Sequence, residues 1–593
     1  MYDFLLQIRE NSFYEPYKGN HFFEMGDKEK LLSESSWYHF EGLTNDRNRY
    51  FFADLNHIIW VYGDVFLRDG YKAKDGYKLT LTEVLNDIKN NQNIHLKYKG
   101  NYCIFLIDII KRSISIINNQ LGLTHVYYYY DSDKMIVSNN LNHFKHLKLD
   151  YNFTTIYQKT LFTYELDENT FFKGVKRVKP GEVIHYENNT TRKSFGLSVI
   201  DLFEPINYEK FNVEKYIHLF NSSVKQKAQL NECFNVSFTG GFDGRTIVSS
   251  LLKQDMSICA YSFGKRNGEN TRVPISISND IGINYSPVYL DDEYVENYVT
   301  DAKKVIYFSD GMSFNERANY IYAFRKLAKN SRYVLSGLIG GETLRPVHLR
   351  TDYINENYYQ LFYLGNFKII DDFLENKFLN NLFIPHDNNC MKELRDIISL
   401  KHDRIIKLKN QKNGFLYYLI DLMETGFRMY YGTEIHFERQ FCSNLTPFYD
   451  IDLLEYLLST DYVEIFKQAF KPGKIHRWSG QKIYAEIIKH NYRKLNLYSV
   501  DRGYPPEYLL NPLKLLLIPY LYYKRKYNRH KYSDFDENNW SKLFLADFIE
   551  TDYKNEPVFS QKALKDKAKS NLMEGKHSSE FNRLISLQTW FNQ

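Results

Sequence analysis

The sequence predicts an α/β protein of more than one domain, and three observations carry that expectation. Roughly the first 200 residues hold short apolar runs separated by Gly, Asp and Asn turns, the pattern of β-rich structure. A strand, a glycine turn and a helix start then follow one another within 234–252. Beyond them helical periods are interrupted by short apolar strands, an alternation that implies a parallel sheet with crossover helices. Past about residue 355 the chain reads as almost wholly helical.

Taken in order, His57-Ile-Ile-Trp-Val-Tyr62, Tyr102-Cys-Ile-Phe-Leu-Ile-Asp108, Ser113-Ile-Ser-Ile-Ile117 and Val126-Tyr-Tyr-Tyr-Tyr130 are the clearest strands of the first part. A change of composition at 198–208 divides the chain into units 1–203 and 204–593. In the second unit Val236 and Phe238 alternate with polar neighbours as in a strand. Gly240-Gly241 let the backbone turn tightly, and Ile247, Val248, Leu251 and Leu252 recur at helical spacing. Further strands are expected at 257–263 and 333–335. The most apolar stretch, 508–523, is too short to span a bilayer and contains Asn511, Pro512, Lys514 and Pro519. It is expected to form a core or docking helix.

A chain of 593 residues can bury large cores. Its net charge of +5 is small for that length, so nothing points to nucleic acid as the main ligand. Cys103, Cys233, Cys259, Cys390 and Cys442 lie far apart, a spacing that fits neither a zinc site nor a disulfide framework. No signal peptide or membrane span is expected, and a reducing cytoplasm is the simplest setting. The 51 tyrosines and 43 phenylalanines are read as core and as a bias of composition rather than as a ligand platform.

The chemistry concentrates in Phe234-Asn-Val-Ser-Phe-Thr239-Gly240-Gly241-Phe242-Asp243-Gly244-Arg245. Backbone N–H groups of such a turn and of the helix that follows point at an anion, Thr239 adds a hydroxyl, and Asp243 is placed to hold the Mg²⁺ that a phosphate brings. An ordinary strand–turn–helix corner would use the same residue types.

The turn resembles the pyrophosphate loop of N-type ATP pyrophosphatases, Ser-Gly-Gly-x-Asp-Ser, with Thr239 for the first Ser and Gly244 for the last. Upstream, Gly63-Asp64, the strand from Gly100 to Asp108, Asn118-Asn-Gln-Leu-Gly122, Ser138 and Thr170-Phe-Phe-Lys-Gly174-Val-Lys-Arg-Val-Lys-Pro180-Gly181 resemble landmarks of class II glutamine amidotransferase domains. The two in this order resemble the asparagine synthetase superfamily over nearly the whole chain. That resemblance implies an Ntn-type α/β/β/α sandwich followed by a parallel-sheet α/β pyrophosphate-loop domain, of the adenine nucleotide α-hydrolase-like kind, with a helical C-terminal region.

It also implies ATP and Mg²⁺ as cofactors. Ser237, Thr239, Gly240, Gly241, Asp243, Gly244 and Phe263 would contact ATP, as would Ser336 and Gly337 of Val334-Leu-Ser336-Gly337-Leu338-Ile339-Gly340-Gly341-Glu342. Pro447-Phe448-Tyr449-Asp450 is similar to the family's Pro-Phe-Leu-Asp turn. Asp243 and Glu342 would hold the metal. Three departures stand out. Leu338 and Gly341 replace the family's first Glu and its metal-binding Asp, and a catalytic Lys is missing where Ser499-Val-Asp501-Arg502-Gly503-Tyr504 stands. Arg502 is the candidate cation in its place, with Asp243 and Arg502 as the catalytic pair; a solvated surface arginine would read the same way.

A working glutaminase of this class uses an N-terminal Cys, but Tyr2 follows Met1 and no Cys precedes Cys103. The domain is therefore expected to be structural, as in relatives that make β-lactams or close lasso peptides. The implied activity is adenylation of a carboxylate with release of pyrophosphate, followed by attack of an amine. The substrates would be a carboxylate and an amine donor, among them a precursor peptide, in which case a leader-binding protein and a protease would be the partners. Ammonia-dependent amidation of aspartate or a sugar acid, and a non-catalytic nucleotide-binding scaffold, are the alternatives.

Overall fold

A computed structural model describes residues 3–9, 29–44, 46–68, 71, 79–197, 199, 201, 208–230, 233–345, 355–376, 381–383, 388–411, 416–470, 477–528, 534–553, 558–575 and 578–593. Met1, Tyr2 and most of the expected boundary at 198–208 lie outside the described residues.

The N-terminal part is built from β1 (Asp3–Arg9), β2 (Glu29–Glu34), β3 (Tyr38–Thr44), β4 (Phe51–Ala53), β5 (His57–Leu67), β6 (Tyr98–Asp108), β7 (Ser113–Asn118), β8 (Tyr127–Tyr130), β9 (Lys134–Ser138), β10 (Lys176–Arg177), β11 (Glu182–Glu187) and β12 (Thr190–Phe195). They form two six-stranded antiparallel sheets, ordered β10-β8-β9-β1-β3-β2 and β12-β11-β7-β6-β5-β4. The two-residue period of the strands explains the layering. Phe4, Leu6 and Phe40 of one sheet meet Trp60 and Phe105 of the other, with the Phe4 and Phe105 rings 4.9 Å apart and the Trp60 and Phe105 rings stacked at 4.8 Å.

The intervening residues face outward. Ile59 and Val61 pack on Leu81, Val84 and Leu85 of α1 (Leu81–Lys89), whereas Leu5, Tyr127 and Ile136 pack on Ile156, Tyr157 and Leu161 of α2 (Phe153–Phe162). Helix, sheet, sheet and helix make the expected α/β/β/α sandwich.

Beyond it, α3 (Val213–Ala228) leads to a five-stranded parallel sheet of β13 (Phe234–Ser237), β14 (Ile258–Gly264), β15 (Asn284–Tyr289), β16 (Tyr333–Leu335) and β17 (Ser443–Leu445), ordered β15-β14-β13-β16-β17. Helix α4 (Phe242–Lys253) crosses from β13 to β14. The edge strands β15 and β17 were not among the expected ones: β15 carries Pro287, which an edge tolerates because it needs no donor there, and β17 is only Ser-Asn-Leu. The rest is mainly helical, including α5 (Arg428–Glu438), α6 (Arg477–Tyr492) and α7 (Ser579–Asn592).

Charged groups buried between the two parts join them. Asp64 pairs with Arg49 at 2.8 Å and with Arg439 at 3.2 Å, and Tyr62 Oη lies 2.9 Å from His436 Nδ1. Lys99 of β6 reaches Asp450 at 3.1 Å and Asp452 at 2.7 Å, and Lys227 of α3 reaches Asp450 at 2.8 Å. The Pro447–Asp450 turn is thus an anchor between domains. Arg428, wholly buried, donates to the carbonyls of Gly122 and Val178.

Two expectations are corrected. Cys233 and Cys259 are disulfide-bonded, their Cα atoms 6.6 Å apart, because parallel pairing of β13 and β14 sets residues 26 apart in the chain side by side. The 508–523 stretch is not one core helix. It breaks into short helical pieces at Asn511 and Pro512, and Leu513, Leu516 and Tyr520 are exposed.

Candidate functional site

The glycine turn lies at the C-terminal end of β13, where the sheet order reverses between β13 and β16. That reversal opens the crevice in which ligands of open α/β sheets bind. Each glycine has its own reason. Gly240 adopts a left-handed φ of +80°. At Gly244 a Cβ would sit 2.1 Å from the Ser237 carbonyl oxygen, so only glycine lets α4 lie this close to its strand. Gly241 has neither constraint: its φ is −72°, and an added Cβ would meet nothing nearer than Thr239 Oγ1 at 3.6 Å. It is also the N-cap of α4 and supplies no side-chain cap, so the first N–H groups of the helix are left for another acceptor.

The segment after β16 closes on the same corner. A Cβ on Gly337 would lie 2.3 Å from Asp243 Cβ, which shows how closely the two turns meet. Ser336 is held by the neighbouring strand, its hydroxyl donating to Asn444 Oδ1 at 2.6 Å and its N–H to the Leu445 carbonyl at 3.1 Å. Asn444 in turn donates to Glu438 Oε2 at 2.7 Å, and burial beside Glu434 raises the Glu438 pKa far above the usual carboxyl range.

At the centre is an ion pair that the sequence does not announce. Arg345 Nη2 lies 3.1 Å from Asp243 Oδ2. Arg345 is buried and stacks on Tyr484 at 5.2 Å and Phe242 at 5.9 Å. Burial opposes its charge, but Asp243, Tyr484 and Glu342 outweigh that and hold its pKa above the usual guanidinium range. The space that a side chain at 341 would need is occupied by this guanidinium, since a Cβ on Gly341 would be 3.0 Å from Arg345 Nη2. Glu342 also faces the corner. Burial and the Asp243 carboxylate push its pKa up to about 7, with Tyr431 and Arg345 acting in the other direction.

Arg245 was not among the expected site residues, yet it joins the turn to the segment that carries Arg502. Fully buried, it donates to Gly240 O at 2.9 Å, to Leu495 O and Ser499 O at 3.0 Å, and to Tyr498 O. Burial lowers its pKa to about 10 despite Asp501 nearby. Val500 and Tyr504 close the turn that holds Arg502, and the Arg502 charge acts on the Tyr504 phenol. An arginine among the apolar residues of a helix is the signal that could have singled out Arg245; for Arg345 no local pattern exists.

Ser237, Thr239, Gly240, Gly241, Asp243, Gly244, Ser336, Gly337 and Glu342 therefore share one corner, with Arg502 in an adjoining turn. Phe263 stands at the end of β14, its ring 5.3 Å from Tyr320 and 6.2 Å from Phe535. Among the described residues no group of three or more His, Cys, Asp or Glu side chains converges on a point. One metal position does fit: Asp243 Oδ1 is buried without a hydrogen-bond partner, beside a helix start that lacks a cap. A second does not, because the Arg345 guanidinium fills it.

No family model matches the chain, and no curated protein does. Among solved structures it is similar to glutamine phosphoribosylpyrophosphate amidotransferase from B. subtilis complexed with ADP and GMP, at 9% identity over 48% of this chain and 59% of that one, with a TM-score of 0.17. It is also similar to an NMN synthetase from Francisella tularensis, at 13% identity over 39% of this chain and 97% of that one, with a TM-score of 0.20. For the allosteric regulatory enzyme of purine biosynthesis the values are 10%, 48%, 58% and 0.18. The chain spans less than two thirds of the length of the B. subtilis enzyme. Overlaps this loose carry no weight for function.

Proposed function

We propose that the protein is an ATP-dependent, AMP-forming carboxylate–amine ligase of the asparagine synthetase-like kind that does not use glutamine. The supporting observation is the uncapped glycine turn at the point where the sheet order reverses, with Gly241 under no steric or left-handed backbone constraint. Such a glycine lets a phosphate approach the backbone.

In this reading the N–H groups at the start of α4 and the Thr239 hydroxyl hold the β- and γ-phosphates, and Arg345 neutralises part of their charge. Asp243 would hold Mg²⁺ through Oδ1, with Glu342 as a further ligand once ionised; the metal, when bound, withdraws charge from the departing pyrophosphate. A substrate carboxylate oxygen attacks the α-phosphorus as the bond from that phosphorus to the bridging oxygen breaks. The amine then attacks the acyl carbon, AMP leaves, and a proton is lost to give the amide. A peptide amine closing a macrolactam, as in lasso peptides, is the preferred acceptor; ammonia follows.

One measurement tests the class: turnover with a carboxylate and an amine should yield AMP and pyrophosphate in equal amounts. ADP and phosphate would place the protein in another class. A scaffold that binds nucleotide without turnover is the second reading, favoured by the Arg345 guanidinium already seated on Asp243. ATP binding without any AMP formation across candidate substrates would select it.

A further inference from the structure

A cavity of about 650 Å³ opens where the sandwich meets the last helix, lined by Lys159 and Thr163 at the end of α2, by Asn357, and by Ser579 and Arg583 at the start of α7. A smaller void beside it shares Lys159, Thr163 and Arg583 and adds Arg317 and Glu434. The size falls in the range of small-molecule sites, roughly 300–1,000 Å³.

Its charge is unbalanced in a specific way. Lys159 donates to the Met312 carbonyl, a neutral acceptor. Arg583 lies over the Phe314 ring at 5.2 Å, and its buried Nε has no hydrogen-bond partner. Neither cation forms an ion pair among the described residues. The acids around them are committed to other groups: Glu165 faces Arg177 at 3.8 Å, Glu434 pairs with Arg317 at 3.0 Å, Glu316 accepts from Asn582 at 2.7 Å, and Glu356 accepts from Gln360 at 2.7 Å. Glu580 remains in the lining, an exposed carboxylate that acts on Arg583, against three lining cations, Lys159, Lys567 and Arg583. Burial pulls Lys159 down to about 8 against the opposing charge of Glu165, and the Arg583 charge adds to the fall; Arg583 is itself lowered by burial, which Tyr430, Glu316 and Glu580 only partly offset. Two desolvated like charges side by side cost free energy that an anion between them would offset.

We propose that this cavity is a second ligand site, separate from the glycine-turn corner, for a small organic polyanion whose carboxylate or phosphate oxygens lie between Lys159 and Arg583. The Thr163 hydroxyl, buried without a hydrogen-bond partner, and the Asn357 amide proton not given to the Leu161 carbonyl offer neutral donors to the remainder of such a molecule; the Ser579 hydroxyl already donates to Glu316. Lys159 belongs to the sandwich and Arg583 to the C-terminal helix, so a bound anion ties the two parts together and stabilises the folded chain.

Calorimetric titration of the full chain with citrate and, separately, with inorganic phosphate tests this. At least one probe should bind with a Kd of about 1 mM or tighter and raise the melting temperature. Tighter citrate binding assigns carboxylates, and tighter phosphate binding assigns phosphoryl groups. Lys159→Gln and Arg583→Gln should each weaken binding about tenfold or more. Lys159→Arg keeps the charge and should retain affinity, whereas Ser579→Trp fills the space without altering the cations and should abolish it. Asp243→Asn, at the glycine-turn corner, should leave unchanged the binding that Ser579→Trp abolishes. The proposal is overturned if neither probe binds, if binding survives in Ser579→Trp, or if it is lost in Asp243→Asn.

Discussion

Arg245 Nη2 donates to the Gly240 carbonyl at 2.9 Å, so the helix that follows the glycine turn reaches back and holds the turn in shape. The same guanidinium takes carbonyls of 495–499, where no other buried cation serves them among the described residues. Arg245→Met keeps the volume but leaves these carbonyls without a donor. We expect a loss of about 1–3 kcal/mol for each carbonyl left buried without a donor, read as a lower urea midpoint.

The glycines of the turn separate fold from ligand. Gly244→Ala places a methyl 2.1 Å from the Ser237 carbonyl and should destabilise the chain by about 1–3 kcal/mol. Gly241→Ala meets only Thr239 Oγ1 at 3.6 Å and should melt as the wild type does. If phosphate approaches the backbone here, ATP affinity in Gly241→Ala falls about tenfold or more at unchanged stability. Normal ATP binding in that variant would remove the main support for the nucleotide reading.

Removing either member of the Asp243–Arg345 pair should have opposite effects on the metal. Arg345→Ala frees Oδ2, so Mg²⁺ should bind more tightly while ATP measured in EDTA binds more weakly. Asp243→Asn should lower Mg²⁺-dependent pyrophosphate formation about a hundredfold or more, and Arg502→Ala should reduce rate with near-normal ATP affinity. Turnover at the wild-type rate in Asp243→Asn would end the proposed mechanism.

Glu342 sets a pH dependence. With its pKa raised to about 7, the carboxyl is neutral below that pH and a carboxylate above it, so Mg²⁺ affinity should rise as pH passes upward through 7. Glu342→Gln should flatten that rise. Calorimetric titration with Mg²⁺ between pH 6 and 8 decides, and an unaltered slope in the variant would exclude Glu342 as the source.

Asp450 acts in the acid range. Burial would raise its pKa, but Lys227 and Lys99 outweigh burial and hold it well below the usual carboxylate range. A depressed folded pKa means that its stabilisation is complete above the unfolded value, about 4, and is lost as pH falls toward the folded one. Asp450→Asn should cost roughly 3–5 kcal/mol at neutral pH, because the buried Lys227 ammonium loses its ion-pair partner and Lys99 keeps only Asp452, and should weaken the acid dependence of the melting temperature.

Local rules of period and turn chemistry made four sandwich strands legible in the sequence, those at 57–62, 102–108, 113–117 and 126–130, together with the strand–turn–helix at 234–252 and the order of the two glycine segments. His57–Leu67 and Tyr98–Asp108 show two-sided burial as apolar runs, and Gly240-Gly241 is visible wherever it stands. Only the tertiary structure placed Arg345 on Asp243, bonded Cys233 to Cys259, set Asn444 under Ser336 and brought Lys159 beside Arg583. Those partners are 26 to 424 residues apart, and no local period encodes a pairing that arises when sheets and helices pack. The edge strands β15 and β17 escaped for different reasons. β15 is largely exposed and so carries little of the apolar signal by which a strand is recognised, whereas β17 is buried but only three residues long, too short to show a period.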